Sequence, residues 1–268
     1  MSETETDPTT SPSTGPEPGG ADGGRRVAVV ANASDYVGPA LARELATRGC
    51  DLVLGDPAPE LAAELADLGA DSWVVDGVKD LSDPQSAVRL LDMAMDAYGR
   101  VDAVAVFTGT IVTGPFLASE PKHLEQVMSG NLMAPYQALR VFLPPMVEAG
   151  RGQALVITSA SGLRVTPGAP LYSATRAGAN MLVRNVAAEV APSGVQVNAV
   201  GTNFMDFPGF LAATGANDPE VRARIESRVP LQRLGSMDEF ARFCAVFLDG
   251  SSGFQTGQVV GYDGGWSA

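Results

Sequence analysis

One histidine, two cysteines and a shortage of cations set the limits of the 268-residue chain before any motif does. A single histidine, His123, excludes histidine-based nucleophile triads and multi-histidine metal sites, and in the stretch Glu120-Pro121-Lys122-His123 it reads as a solvated side chain. Cys50 and Cys244 have neither the paired spacing of a zinc site nor the density of a disulfide scaffold, so no metal is expected and a reducing compartment fits. Lys plus Arg number 18 against 31 Asp plus Glu, a net charge of -13. Phosphate backbones and anionic membrane surfaces are repelled by such a chain, which argues against nucleic acid and membrane as partners. No apolar run approaches the roughly 18 residues of a membrane span. Residues 1–24 contain no Lys or Arg and no apolar stretch, which excludes a secretory signal and a mitochondrial presequence. Their richness in Pro, Gly, Ser and Thr predicts a disordered tail ahead of one domain over 25–268, and the expected location is the cytoplasm.

What is present is an alternation. Short runs rich in β-branched residues, VAVVA at 27–31, DLVLG at 51–55, SWVVD at 72–76, DAVAVF at 102–107, ALVITS at 154–159 and VQVNAV at 195–200, are nearly continuous in apolar character. Strands of that kind are buried on both faces. Between them lie amphipathic helical patterns at 39–49, 84–99 and 122–150, and a last strand is expected within 257–265. The pattern predicts a single α/β domain built on a doubly wound parallel sheet, with ligand chemistry at the carboxyl ends of its strands.

Two clusters carry the chemistry. Ser159 ends a strand, and Tyr172 and Arg176 lie four residues apart on the helix that follows, hence on one helix face. A guanidinium beside a phenol favours the phenolate, so Arg176 activates Tyr172 while Ser159 donates to the same substrate oxygen. The other cluster is the turn after the first strand, Ala31-Asn32-Ala33-Ser34-Asp35-Tyr36-Val37-Gly38. A dinucleotide site needs bare glycine backbone here, so that a pyrophosphate can approach the helix N-terminus. Set against the Thr-Gly-x-x-x-Gly-x-Gly turn of short-chain dehydrogenases, Asn32 and Tyr36 replace two glycines and only Gly38 remains. Asp56, Asp76 and Asn131 sit where such dehydrogenases place ribose-, adenine- and water-contacting residues, which keeps a divergent NAD(P)-dependent oxidoreductase as the alternative.

Ser159, Tyr172 and Arg176, taken with the Tyr36-x-Gly38 turn, resemble the halohydrin dehalogenases, a branch of the Rossmann-like short-chain dehydrogenase superfamily, over about residues 25–268. The resemblance extends to Asn203-Phe204-Met205 and the Asp263-Gly264-Gly265-Trp266 ending, and departs at Ala31, where that family has threonine. It implies a carbon–halide lyase without cofactor that closes vicinal haloalcohols to epoxides, and opens epoxides with azide, cyanide or nitrite. It further implies a halide site at Tyr36, Thr202, Asn203, Phe204 and Met205, the loop amides facing the anion, and a homotetramer.

Overall fold

Alternating side chains within each strand run decide the architecture. In β1 (Arg26–Val30), Val27 and Val29 point into one apolar cluster, and Ala28 and Val30 into another. Both faces of the sheet are therefore covered. The computed structural model describes residues 24–107 and 109–268, so the expected disorder of the tail falls outside the described residues up to position 23. The chain continues as α1 (Gly38–Thr47), β2 (Cys50–Gly55), α2 (Leu61–Asp67), β3 (Ser72–Val75), α3 (Pro84–Tyr98) and β4 (Ala103–Phe107). Next come α4 (Pro121–Met128), α5 (Ala134–Glu148), β5 (Gly152–Ser159), α6 (Pro170–Val190) and β6 (Val195–Thr202). The remainder is β7 (Met205–Asp206), α7 (Pro208–Thr214), α8 (Pro219–Glu226), β8 (Gly235–Ser236), α9 (Met237–Ala245) and β9 (Val259–Tyr262).

Seven strands form one parallel sheet in the order β3-β2-β1-β4-β5-β6-β9. Helices α3, α5 and α6 pack on one face through Leu90, Phe142 and Val183, and α1, α2 and α9 on the other through Leu41, Leu65 and Phe240. The strand order reverses between β1 and β4. That is the point at which doubly wound sheets open a crevice at the strands' carboxyl ends.

Gly38 lets α1 begin against the preceding turn, because a Cβ there would lie 2.0 Å from the Asn32 carbonyl oxygen. The stretch expected as one helix over 122–150 is divided. Ser129–Met133 form a wider π-type turn between α4 and α5. Gly130 is needed in it, since its Cβ would come within 2.1 Å of Thr110 Oγ1.

Candidate active site

The carboxyl ends of β1, β5 and β6 bring the two sequence clusters together. Ser159 and Thr202 are register partners at the ends of β5 and β6. Ser159 is 5% exposed; its hydroxyl donates to the Thr202 carbonyl at 3.4 Å and accepts from the Ser161 amide at 3.1 Å. The 3₁₀ turn that follows, Ala160–Gly162, packs directly on α6: a Cβ at Gly162 would lie 2.7 Å from the Arg176 carbonyl carbon. This contact fixes the Ser159 strand end against the helix that carries Tyr172 and Arg176.

Helix α6 opens with Pro170 at its first position, where a missing amide costs nothing. It buries Tyr172, Thr175, Arg176, Ala179, Asn180, Val183 and Ala187, a stripe of three- and four-residue steps. The Arg176 guanidinium lies 5.1 Å from the centre of the Tyr172 ring and is only 3% exposed. Tyr172 itself is 8% exposed, so ring and cation are buried together.

Asn131, at the wide turn, is spent on structure. Its Oδ1 accepts from the Thr110 amide at 2.9 Å, and its Nδ2 donates to the Thr110 carbonyl at 2.8 Å and to Thr175 Oγ1 at 3.2 Å. It ties the loop after β4 to α6 one residue before Arg176. Asp56 is committed likewise, accepting from the Gly77 and Val78 amides at 2.5 and 2.8 Å. Asp76 is exposed beyond β3.

Tyr36 connects the first turn to this group. Its hydroxyl is 2.6 Å from Thr202 Oγ1, and its ring meets Phe207 edge-on at 4.8 Å and Phe240 at 6.0 Å. Burial drives the phenol well above its ordinary range, so it stays protonated, and the fields of Tyr172 and Arg176 both reach it. The rest of the turn is closed on itself: Asn32 Oδ1 takes the Ser34 amide at 3.1 Å and the Ser34 hydroxyl at 2.8 Å, and Ala33 donates to the Gly55 carbonyl. Asp35 pairs with Lys79 at 2.8 Å. As folded, the turn does not fit a dinucleotide. The Ala33 and Ser34 amides have internal acceptors, the Tyr36 side chain stands at the position of the second glycine, and Asp35 adds a carboxylate already paired with Lys79.

Beyond β6, Asn203 Oδ1 accepts the Phe204 amide at 2.9 Å, Phe204 has a left-handed backbone at φ 55°, and Met205 enters the β7–β8 ladder against Gly235. The Phe204 amide, expected to face an anion, thus already has an acceptor one residue away. Sequence reasoning missed two groups near this loop, Thr166 on the β5–α6 connection and Arg224 and Arg228 on and after α8; no local motif marks them.

A doubly wound parallel sheet with a Ser–Tyr–cation trio at the ends of β5 and α6 defines a short-chain dehydrogenase architecture. The chain belongs to that family: the family model described as Enoyl-(Acyl carrier protein) reductase matches residues 31–267. It is 32% identical to a cis-4-hydroxycyclohexanecarboxylate dehydrogenase of Sinomonas cyclohexanicum, over 91% of this chain and 97% of that protein. A 3-oxoacyl-[acyl-carrier-protein] reductase of Thermotoga maritima is 25% identical over 90% and 97%. Among solved structures, levodione reductase superposes with a TM-score of 0.81 at 24% identity, over 91% of this chain and 97% of that one, a likeness of fold. Acetoin dehydrogenase from Enterobacter cloacae gives 0.77 at 25%, over 90% and 96%.

These relatives correct the expected activity. None of these names is a dehalogenase; they are dehydrogenases and reductases, so the carbon–halide lyase reading, with its epoxide product and halide release, is overturned. The physical reason is that a Ser–Tyr–cation trio moves a proton at a substrate oxygen whatever bond breaks next. It does not distinguish carbon–halogen cleavage from alcohol and carbonyl chemistry.

Proposed function

We propose that the chain performs acid–base chemistry on the hydroxyl or carbonyl oxygen of a small organic substrate, as a divergent member of the short-chain oxidoreductases. The observation that carries this is the buried pairing of Tyr172 with Arg176 on the helix that packs against the turn following Ser159. In this reading Ser159 turns its hydroxyl from the Thr202 carbonyl to the substrate oxygen, and Tyr172 exchanges a proton with that same oxygen. Arg176 offsets the negative charge that develops on the phenol. The relatives' names describe reactions at a hydroxyl or carbonyl carbon, which supports that oxygen as the reacting group.

The nicotinamide dinucleotide that short-chain dehydrogenases use does not fit the turn as folded, so the proton transfer stands here on the chain's own residues. Tyr36 favours a second reading, in which the same transfer serves a reaction that needs no dinucleotide. Conversion of a panel of small secondary alcohols and ketones, followed by product analysis with and without NAD or NADP after charcoal treatment, separates the two. Both readings fail if a folded Tyr172→Phe protein converts substrate at the rate of the unaltered chain.

The assembly that fits is a homotetramer. Leu124 and Met128 on α4, Met133 in the wide turn, Tyr136 on α5 and Met181 on α6 are all exposed apolar side chains of neighbouring helices, suited to meeting their copies in another chain.

A further inference from the structure

Between the β5–α6 connection and α8 lies a cleft of about 500 Å³ whose lining divides by chemistry. One wall is aromatic: Phe204 meets Phe210 edge-on at 6.3 Å and Trp266 at 5.5 Å. Arg224 and Arg228 also line the cleft, the latter with its guanidinium 5.8 Å from the Phe204 ring centre. Thr166 lines it too, and its Oγ1 is buried without a hydrogen-bond partner among the described residues. A buried hydroxyl left unpaired costs free energy unless something arrives to pair with it.

The arginines stand out against their surroundings. Carboxylates outnumber cations 31 to 18 in this chain, and other arginines of the same region use them: Arg222 pairs with Asp206 and Glu226, and Arg233 with Glu239. Among the described residues neither Arg224 nor Arg228 has a carboxylate within ion-pair distance. Arg224 on α8 and Arg228 in the turn after it both line the same opening. A planar fork of donors beside an aromatic wall matches a carboxylate attached to an apolar body.

Two segments that line the cleft also lead into the proton-transfer site. Phe204 lies two residues beyond Thr202, whose carbonyl takes the Ser159 hydroxyl, and Thr166 lies on the segment joining Ser159 to Tyr172. We propose that this cleft is the subsite for the substrate's distal end and that it selects organic acids: a ring or short chain against Phe204, Phe210 and Trp266, a carboxylate on Arg224 and Arg228, and the reacting hydroxyl or carbonyl at Ser159 and Tyr172. The substrate class is then a hydroxy acid or oxo acid. This assignment rests on the proposed proton transfer for the reacting end only; the acid-binding end is tested alone.

The test is calorimetric titration of the full chain with cyclohexanecarboxylate and with cyclohexylmethanol, probes of similar shape that differ in charge. The acid is expected to bind at least about tenfold more tightly, with an affinity that falls as salt is raised. In the double variant Arg224→Gln, Arg228→Gln the preference should vanish while binding of the neutral alcohol stays as it was. Both residues are exposed, and the single variant Arg228→Gln, expected to lose part of the preference, guards against an effect of the pair on folding. Equal binding of the two probes by the unaltered chain, or an undiminished preference in the double variant, overturns the proposal. Tyr172→Phe separates the two layers. Acid preference kept with turnover lost supports both, whereas acid preference kept with turnover unchanged leaves the cleft standing and removes Tyr172 as the proton donor.

Discussion

Tyr36 carries an unusual local cost. Its backbone sits at φ 53°, a left-handed conformation that costs a non-glycine residue roughly 1 kcal/mol or more, and it is held there by the Thr202 hydroxyl and the Phe207 and Phe240 rings. Tyr36→Gly should therefore remove strain and ring together and open the crevice. The expected outcome is binding of NADH or NADPH by the variant, read from nicotinamide fluorescence, at concentrations where the unaltered chain shows none. Equal binding by both proteins would mean that the ring does not guard the path. Tyr36→Phe keeps the ring and should cost about 1 kcal/mol in chemical denaturation through the lost hydroxyl pairing. At the reacting end, Tyr172→Phe should lower turnover by about a hundredfold or more with the fold intact, which circular dichroism alongside the rate measurement checks. That Ser159 would end a strand and that Tyr172 and Arg176 would share one helical face were legible in the sequence, because a strand end and a four-residue helical step are local geometry. Thr166, Arg224 and Arg228 were not, because their cleft is assembled from segments far apart in the chain. Nor could the sequence show that Asn203 would take the Phe204 amide.

At the scale of elements, the strand runs were readable to within a residue or two: DLVLG at 51–55 became Cys50–Gly55, and VQVNAV at 195–200 became Val195–Thr202. Continuous apolar character bounded by turns leaves little choice for such segments. The 122–150 stretch misled because its apolar periodicity continues across the wide turn, which exists to let Gly130 pass Thr110 and to aim Asn131. Helix α9 went unread although its start is marked. Ser236 takes the Glu239 amide at 3.2 Å, and the Glu239 carboxylate returns to the Ser236 amide, a capping box. Ser236→Ala should cost about 1 kcal/mol in thermal or urea denaturation. Glu239 is also gripped by Arg233 at 2.8 Å, which holds its carboxyl down to about 2. A carboxylate depressed in the folded state stabilises it above the ordinary carboxyl range and ceases to do so as pH falls from about 4.5 towards 2. Glu239→Gln should flatten that part of the stability profile, by a modest amount because the pair is open to solvent. An unchanged acid limb would show the pairing to be energetically idle.

For the whole molecule, the sheet order and the two helical layers follow from chain alternation, and the fold class was expected from sequence for that reason. Among the described residues no helix is long and apolar enough to cross a membrane. The exposed side chains of α4, the wide turn, α5 and α6 predict that light scattering on the purified protein gives four chain masses, and that Met181→Glu lowers the number of chains. A monomer in both would leave that helical face without a partner.

Both cysteines lie in the layer between the sheet and helices α1 and α9, fully enclosed, with burial holding the Cys50 thiol up at about 11 and raising Cys244 as well. Thiolate, not thiol, reacts with alkylating reagents, so the native chain should be silent towards iodoacetamide at neutral pH. Cys50 opens β2 and Cys244 is in α9, nearly two hundred positions apart in sequence yet packed in one cluster, so the opening that exposes one is expected to expose the other. The chain then carries its own clock: in a pulse of reagent, the rate at which doubly alkylated molecules accumulate reads the opening of that layer, without a label having been added.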